Sequence, residues 1–176
     1  MILKIAAALL ILIVAILLIA ASKPNTLSVQ RSITINAHRE KIFALINDLH
    51  RWEDWNREER EDPTVTRVYG GPTTGVGASC DWDSRGRSGK GRMLIAESRP
   101  SEYVAVKVDF LKPFASHNLN AFSLAPSGNG TVVTWNWQGQ NLYFMKLMGV
   151  FVSMDKMMGK HFESGLANLK SAAEKE

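Results

Sequence analysis

Tyr103-Val104-Ala105-Val106-Lys107-Val108-Asp109-Phe110-Leu111 puts Val104, Val106, Val108 and Phe110 on one face and Lys107 and Asp109 on the other. That period of two predicts a half-buried strand. Upstream, Pro100-Ser101-Glu102 turns the chain away from Gly91 to Ser98, a second strand with Met93 and Ile95 on one face. Arg85 to Gly89 is turn-like, and Gly77 to Asp83 and Thr64 to Tyr69 read as two further strands interrupted by Gly70-Gly71-Pro72. Downstream, Ser116 to Leu124 and Thr131 to Gln138 are joined by Pro126-Ser127-Gly128-Asn129-Gly130. Strands connected this closely in sequence pair as an antiparallel meander.

The flanks complete the pattern. Thr26 to Ile35 alternates, with Leu27, Val29, Ile33 and Ile35 on the odd positions. Asn36 is a candidate N-cap for a helix over Ala37 to Ile46, in which Ile42, Phe43 and Ile46 share a face. The three-residue spacing of Trp52 and Trp55 predicts a second short helix with both indoles on one side. At the C-terminus Met158, Phe162, Leu166 and Leu169 form an apolar stripe, with Lys160, Glu163, Lys170 and Glu174 off it. A long amphipathic helix follows from that spacing. Leu142 to Met154 is apolar except at Lys146, Gly149 and Ser153, and reads as a helix buried over most of its circumference.

The expected fold class is α+β: a curved antiparallel sheet wrapped around a long C-terminal helix, the helix-grip arrangement. A bent sheet and a cylinder match imperfectly, so an apolar cavity between the layers is expected.

From Ile5 to Ala21 every residue is Ala, Leu, Ile or Val, long enough to cross a bilayer. A membrane anchor over residues 1–22 is the favoured reading; a secretory signal ending near Ala20-Ala21-Ser22 and a buried core helix are the alternatives. Residues 23–26 form a linker and 27–176 the domain. Lys4 on one side, against Lys23, Arg31, Arg39 and Lys41 on the other, leaves the side of the membrane open.

Of 176 residues, 45% are hydrophobic and 22% charged, which is one globular core rather than a disordered chain. The net charge of +4 is scattered apart from Arg85, Arg87, Lys90 and Arg92, without the basic face and interleaved aromatics of a nucleic-acid groove. That cluster reads as a solvated hairpin or a site attracted to anionic lipid head groups. Cys80 is the single cysteine, so an intrachain disulfide is excluded. The four histidines lack metal-ligand spacing, and neither a metal nor a cofactor is expected.

Several stretches resemble the START/Bet v1-like superfamily, in its SRPBCC or polyketide cyclase/dehydrase-like branch. They are Arg31 to Ile35, Ile46-Asn47-Asp48, Trp52 to Trp55, Gly75 to Ala78 with Trp82, Gly89 to Met93, Phe110 to Phe114, Gly130 to Trp135, Met154 to Met157 and Phe162 to Lys170. Asn56-Arg57-Glu58 departs from the pattern, where the resemblance leads to a Ser-Pro-Trp-like turn. The resemblance covers the chain after Asn25 and implies the helix-grip fold. It implies no single activity, because its members include lipid and sterol carriers, hormone receptors and polyketide aromatase/cyclases.

The residues expected to line the cavity are Trp55, Trp82, Met93, Val108, Phe110, Trp135 and Phe162, with simple core filling as the alternative for each. Proton transfer would need a buried carboxylate among Asp48, Asp54, Asp81 and Asp83, which otherwise read as capping and turn residues. His117 is the most plausible reactive side chain, yet alternation with Phe122 and Leu124 turns Asn118 and Asn120 inward and His117 outward. His161 reads as half-exposed. Leu142 to Met154 is either a packed helix, a gate over the cavity or a surface dipping into the bilayer. The leading function is a membrane-anchored module binding a hydrophobic or lipid-like small molecule. A cyclase/dehydratase-type enzyme using a pocket carboxylate, and a structural partner of a membrane protein, are the alternatives. Oligomeric state is not read from the sequence.

Overall fold

A computed structural model describes residues 1–56, 62–86 and 88–175. Arg57 and Glu58 of the departing turn, and Arg87 of the basic cluster, lie outside the described residues. The chain runs α1 (Ile2–Ser22), β1 (Thr26–Ile35), α2 (Arg39–Ile46), a short 3₁₀ helix (Leu49–Asp54), β2 (Thr66–Gly70), β3 (Ser79–Asp83), β4 (Lys90–Arg99), β5 (Tyr103–Lys112), β6 (Ser116–Ser127), β7 (Gly130–Gln140), α3 (Tyr143–Phe151) and α4 (Met154–Glu174).

The seven strands form one sheet in the order β1-β7-β6-β5-β4-β3-β2, antiparallel at every junction. Strands β2 to β7 are the expected meander, and β1 pairs with the last of them from Thr26↔Gln140 to Ile35↔Thr131. β1 buries its odd positions as the alternation requires, Val29 and Ile35 most fully. α4 lies on the concave face and buries Phe162, Leu166, Leu169 and Ala173. The architecture is the expected α+β helix-grip.

The N-cap expectation for α2 is corrected. The helix starts at Arg39, and the Asn36 backbone N–H is taken by the Glu174 carboxylate (2.7 Å), which ties the end of α4 to the end of β1. Trp52 in the short helix and Trp55 just after it are both buried: Trp52 donates to the Ile46 carbonyl (2.9 Å) and Trp55 to that of Leu45 (3.2 Å).

The larger correction concerns α3. The sequence reading put its apolar residues inside and Lys146 on the exposed stripe, and the structure is the reverse. Lys146 is buried and its ammonium donates to Asn25 Oδ1 (2.6 Å), while Tyr143, Phe144, Met148 and Phe151 are exposed. The reason is a polar joint absent from local sequence. Asn141 donates its backbone N–H to the Asn25 carbonyl (2.8 Å) and its side-chain amide to that of Pro24 (2.9 Å), so the start of α3 is stitched to the α1–β1 linker. Lys146, one turn on, falls beside the same linker.

α1 is long and apolar enough to cross a membrane, with a mean hydropathy of 3.2. Apart from Ala20, which is buried, and Ile16, which is half-buried, its side chains are exposed.

Candidate ligand-binding site

Alternation decides which side chains point between sheet and helix. Trp82 comes from β3, Met93 from β4, Val108 and Phe110 from β5, Asn120 and Phe122 from β6, and Trp135 and Trp137 from β7; α4 adds Phe162 and the segment after the 3₁₀ helix adds Trp55. The seven expected wall residues fall into two groups on this face. Trp55, Phe122 and Phe162 pack around Trp135, with ring centroids 5.9 Å apart for Trp55–Trp135, 4.9 Å for Phe122–Trp135 and 4.7 Å for Trp135–Phe162. Trp82 meets Phe110 edge-on at 5.3 Å, and Met93 is the cross-strand partner of Val108.

Around Trp135 the space between the layers is occupied by rings. α4 comes close enough there that a Cβ on Gly165 would sit 2.8 Å from a Trp135 ring carbon. The indole is held by a hydrogen bond from Nε1 to Asn120 Oδ1 (2.8 Å), a buried polar pair inside an apolar layer. Towards the end of the sheet that carries the β5–β6 turn, Phe110 and Met158 are only partly buried against the core, as Leu27, Ile33, Phe43, Val65, Tyr69 and Ala172 are elsewhere. Phe144 of α3 meets Phe114 of that turn at 5.9 Å, so α3, which follows β7, reaches the β5–β6 turn.

A separate cleft of about 220 Å³ lies at the opposite end, lined by residues including Leu49, His50, Tyr69, Pro72 and Ser79, with His50 stacked on Tyr69 at 3.8 Å. It falls below the roughly 300–1,000 Å³ of small-molecule sites.

The candidate carboxylates all engage partners outside the concave face. Asp48 accepts from the His50 backbone N–H (2.9 Å) and caps the 3₁₀ helix; Asp54 pairs with Arg51 (3.3 Å), Asp81 with Arg92 (3.6 Å) and Asp83 with Lys90 (2.8 Å). The hydrogen bond from Lys90 lowers the Asp83 pKa from its ordinary value. No carboxylate is buried among the described residues. His117 faces out as alternation predicted, with its side chain 72% exposed and Nδ1 2.6 Å from Asp109 Oδ1. His161 is half-buried beside Trp135 and Phe162.

The sequence reading missed three features. Phe122 and Trp137 obey the same alternation as their neighbours and could have been assigned to the wall. Arg31 stands on an inward position of β1, where its guanidinium bonds Asp155 (3.0 Å) and Glu163 (2.7 Å) of α4. Its signal was Asp155, Gly159 and Glu163 at four-residue spacing, two carboxylates on one helix face flanking a residue with no side chain to block the guanidinium.

This clamp gives a pH dependence. The Arg31 hydrogen bond holds the Asp155 carboxyl below its ordinary range. Its folded pKa is thus below the unfolded value of about 4, so the clamp's contribution is complete above that value and is lost as pH falls through the folded pKa. Amide exchange in the first turn of α4, corrected for intrinsic rates, is expected to rise between about pH 5 and pH 3. Asp155→Asn should flatten that response, and an unchanged response in the variant would show that another group controls the helix end.

Comparison with known proteins agrees with the fold. A structural-genomics protein, CV1439 from Chromobacterium violaceum, aligns with a TM-score of 0.59 at 14% identity over 88% of this chain and 100% of its own. The protein of unknown function SA2116 from Staphylococcus aureus aligns at 0.63 and 11% identity, covering 85% and 94%. The di-domain ARO/CYC StfQ from the steffimycin biosynthetic pathway aligns at 0.59 and 10% identity, covering 85% of this chain and 51% of StfQ. No curated protein matches at the level of sequence. A family profile, Polyketide cyclase / dehydrase and lipid transport, matches residues 26–174, which is nearly everything after α1. The sheet, the closing helix and that match together make this chain a member of the Polyketide cyclase / dehydrase and lipid transport family.

Proposed function

We propose that the chain is a membrane-anchored binding module that holds a hydrophobic or lipid-like molecule between the sheet and α4, at the end covered by α3. The observation that carries this reading is the incomplete burial of the inward-facing Phe110 and Met158, beside the closely packed rings at Trp135. The walls there are Trp82, Met93, Val108, Phe110, Trp137 and Phe162, aromatic and thioether side chains that re-pack at low cost. Affinity comes from apolar burial at about 25 cal/mol per Å². A guest enters by displacing α3, whose Met145 and Met148 suit a deformable cover. α1, exposed and apolar, is the anchor in this reading. The family's range supports a carrier or receptor as readily as an enzyme, and the outward placement of Asp48, Asp54, Asp81 and Asp83 favours binding over carboxylate chemistry.

The test uses the five tryptophans, of which Trp82 and Trp137 line the proposed site. The full chain in detergent is titrated with a dibrominated fatty acid, whose bromines quench indole emission on contact. Saturable quenching at one probe per chain is expected, weakened in Val108→Phe, which fills the wall. Quenching that never saturates and is identical in the variant would reject the site.

A further inference from the structure

We propose that the exposed face of α3, together with Phe114 of the β5–β6 turn, docks into the lipid bilayer as a second membrane contact beside α1. The proposal rests on the anchor reading of α1, and extends it from a tether to a seated domain. Tyr143, Phe144, Met148, Phe151 and Val152 are exposed on or just after α3, with Phe151 at 70%; Phe114 adjoins them through Phe144, and Met157 is exposed in the first turn of α4. A helix that turns its one lysine inward and its phenyl rings outward is arranged for an apolar surrounding.

Three observations commit this face to a bilayer. First, it is continuous with α1. The Tyr143 hydroxyl donates to the Leu17 carbonyl (3.2 Å), within the apolar span itself. Second, the joint between them is built from buried polar groups, Asn141 and Lys146 on the linker residues Pro24 and Asn25, which fixes α3 relative to α1. Third, cations adjoin the apolar face. Lys112 is two residues from Phe114, Lys156 is beside Met157, and the Lys23 ammonium lies 3.8 Å from the point a Cβ on Gly149 would occupy. Asp155, the acidic neighbour, is neutralised by Arg31. Apolar side chains bordered by lysines match the acyl boundary and anionic head groups of a membrane surface. The seat brings the α3 cover to the lipid, so a guest leaving the bilayer need not cross water.

The single native cysteine, Cys80, is buried, so exposed positions can be labelled one at a time. Phe114→Cys, Phe144→Cys, Met148→Cys and Phe151→Cys are each labelled with an environment-sensitive fluorophore in the full chain. The chains are reconstituted into vesicles of phosphatidylcholine with roughly one quarter phosphatidylglycerol, and quenched with lipids spin-labelled at graded depths. Leu10→Cys reports on α1, and Asn129→Cys, in the β6–β7 turn at the far end of the sheet, reports on the aqueous side. The α3 and Phe114 labels are expected to be quenched about twofold or more by shallow spin labels, at the roughly 5–10 Å depth of interfacial helices. Asn129→Cys should not be quenched. Water-exposed α3 labels beside a quenched Leu10→Cys would overturn the seat while leaving the anchor. Labels at α3 shielded from water but insensitive to lipid quenchers would also overturn it, in favour of a second copy or another protein. Failure of the fatty-acid titration would not alter either readout.

Discussion

Trp135→Ala is expected to destabilise the domain by about 3–5 kcal/mol, as for other large aromatic residues removed from a core. Trp135 is buried, touches Trp55, Phe122 and Phe162, and donates to Asn120. Its loss leaves a void at the middle of the layer and orphans the Asn120 carbonyl oxygen, which adds to the cost of the cavity. In a domain of this size each kcal/mol moves the midpoint by roughly 2–4 °C, so a fall of about 10 °C is expected in a thermal melt of the detergent-solubilised chain. A shift of only a degree or two would mean that the rings are not packed as described.

Gly165→Val is expected to destabilise through the opposite fault. Replacing a helical glycine gains a few tenths of a kcal/mol in propensity. The new Cβ would stand 2.8 Å from the Trp135 ring, which Phe122, Phe162 and Asn120 prevent from turning aside. Overpacking of this kind costs about 1–3 kcal/mol and decides the sign. Gly149 of α3 provides the contrast. A Cβ there meets nothing closer than 3.7 Å, so Gly149→Ala should raise stability by about 1 kcal/mol. Melts of the two variants that moved in the same direction would contradict the close approach of α4 to β7.

Much of this architecture was legible because strands and helices declare themselves locally. The alternation from Thr26 to Ile35 matched β1 to the residue, Trp52 and Trp55 at the short helix were buried together, and His117 faced out because Phe122 faced in. What was not legible depended on partners distant in the chain. The period of Leu142 to Met154 gave a stripe, but only Asn25, 121 residues away, decides that Lys146 is the inward residue. The partners of Arg31, on an inward strand position, are Asp155 and Glu163 of α4, far along the chain. The seven wall residues were readable as inward-facing. Whether such rings enclose a space or fill it depends on their tilt, and Trp135 lies close against Phe122 and Phe162.

That distinction bears on the proposed function, because rings fill the middle of the layer around Trp135. The proposed site lies at the α3 end, where Phe110 and Met158 are partly buried, and the proposed membrane seat rests on the inverted polarity of α3. The orientation of α3 follows from the polar joint of Asn25, Asn141 and Lys146, which turns its one lysine inward and its phenyl rings outward.

Native mass spectrometry of the full chain, released from detergent micelles, tests the binding claim most directly. A single apolar adduct of discrete mass per chain is predicted, depleted in Val108→Phe. Bare chain alone in repeated preparations of the unsubstituted protein, or an adduct equally retained by Val108→Phe, would contradict a guest held between the sheet and α4.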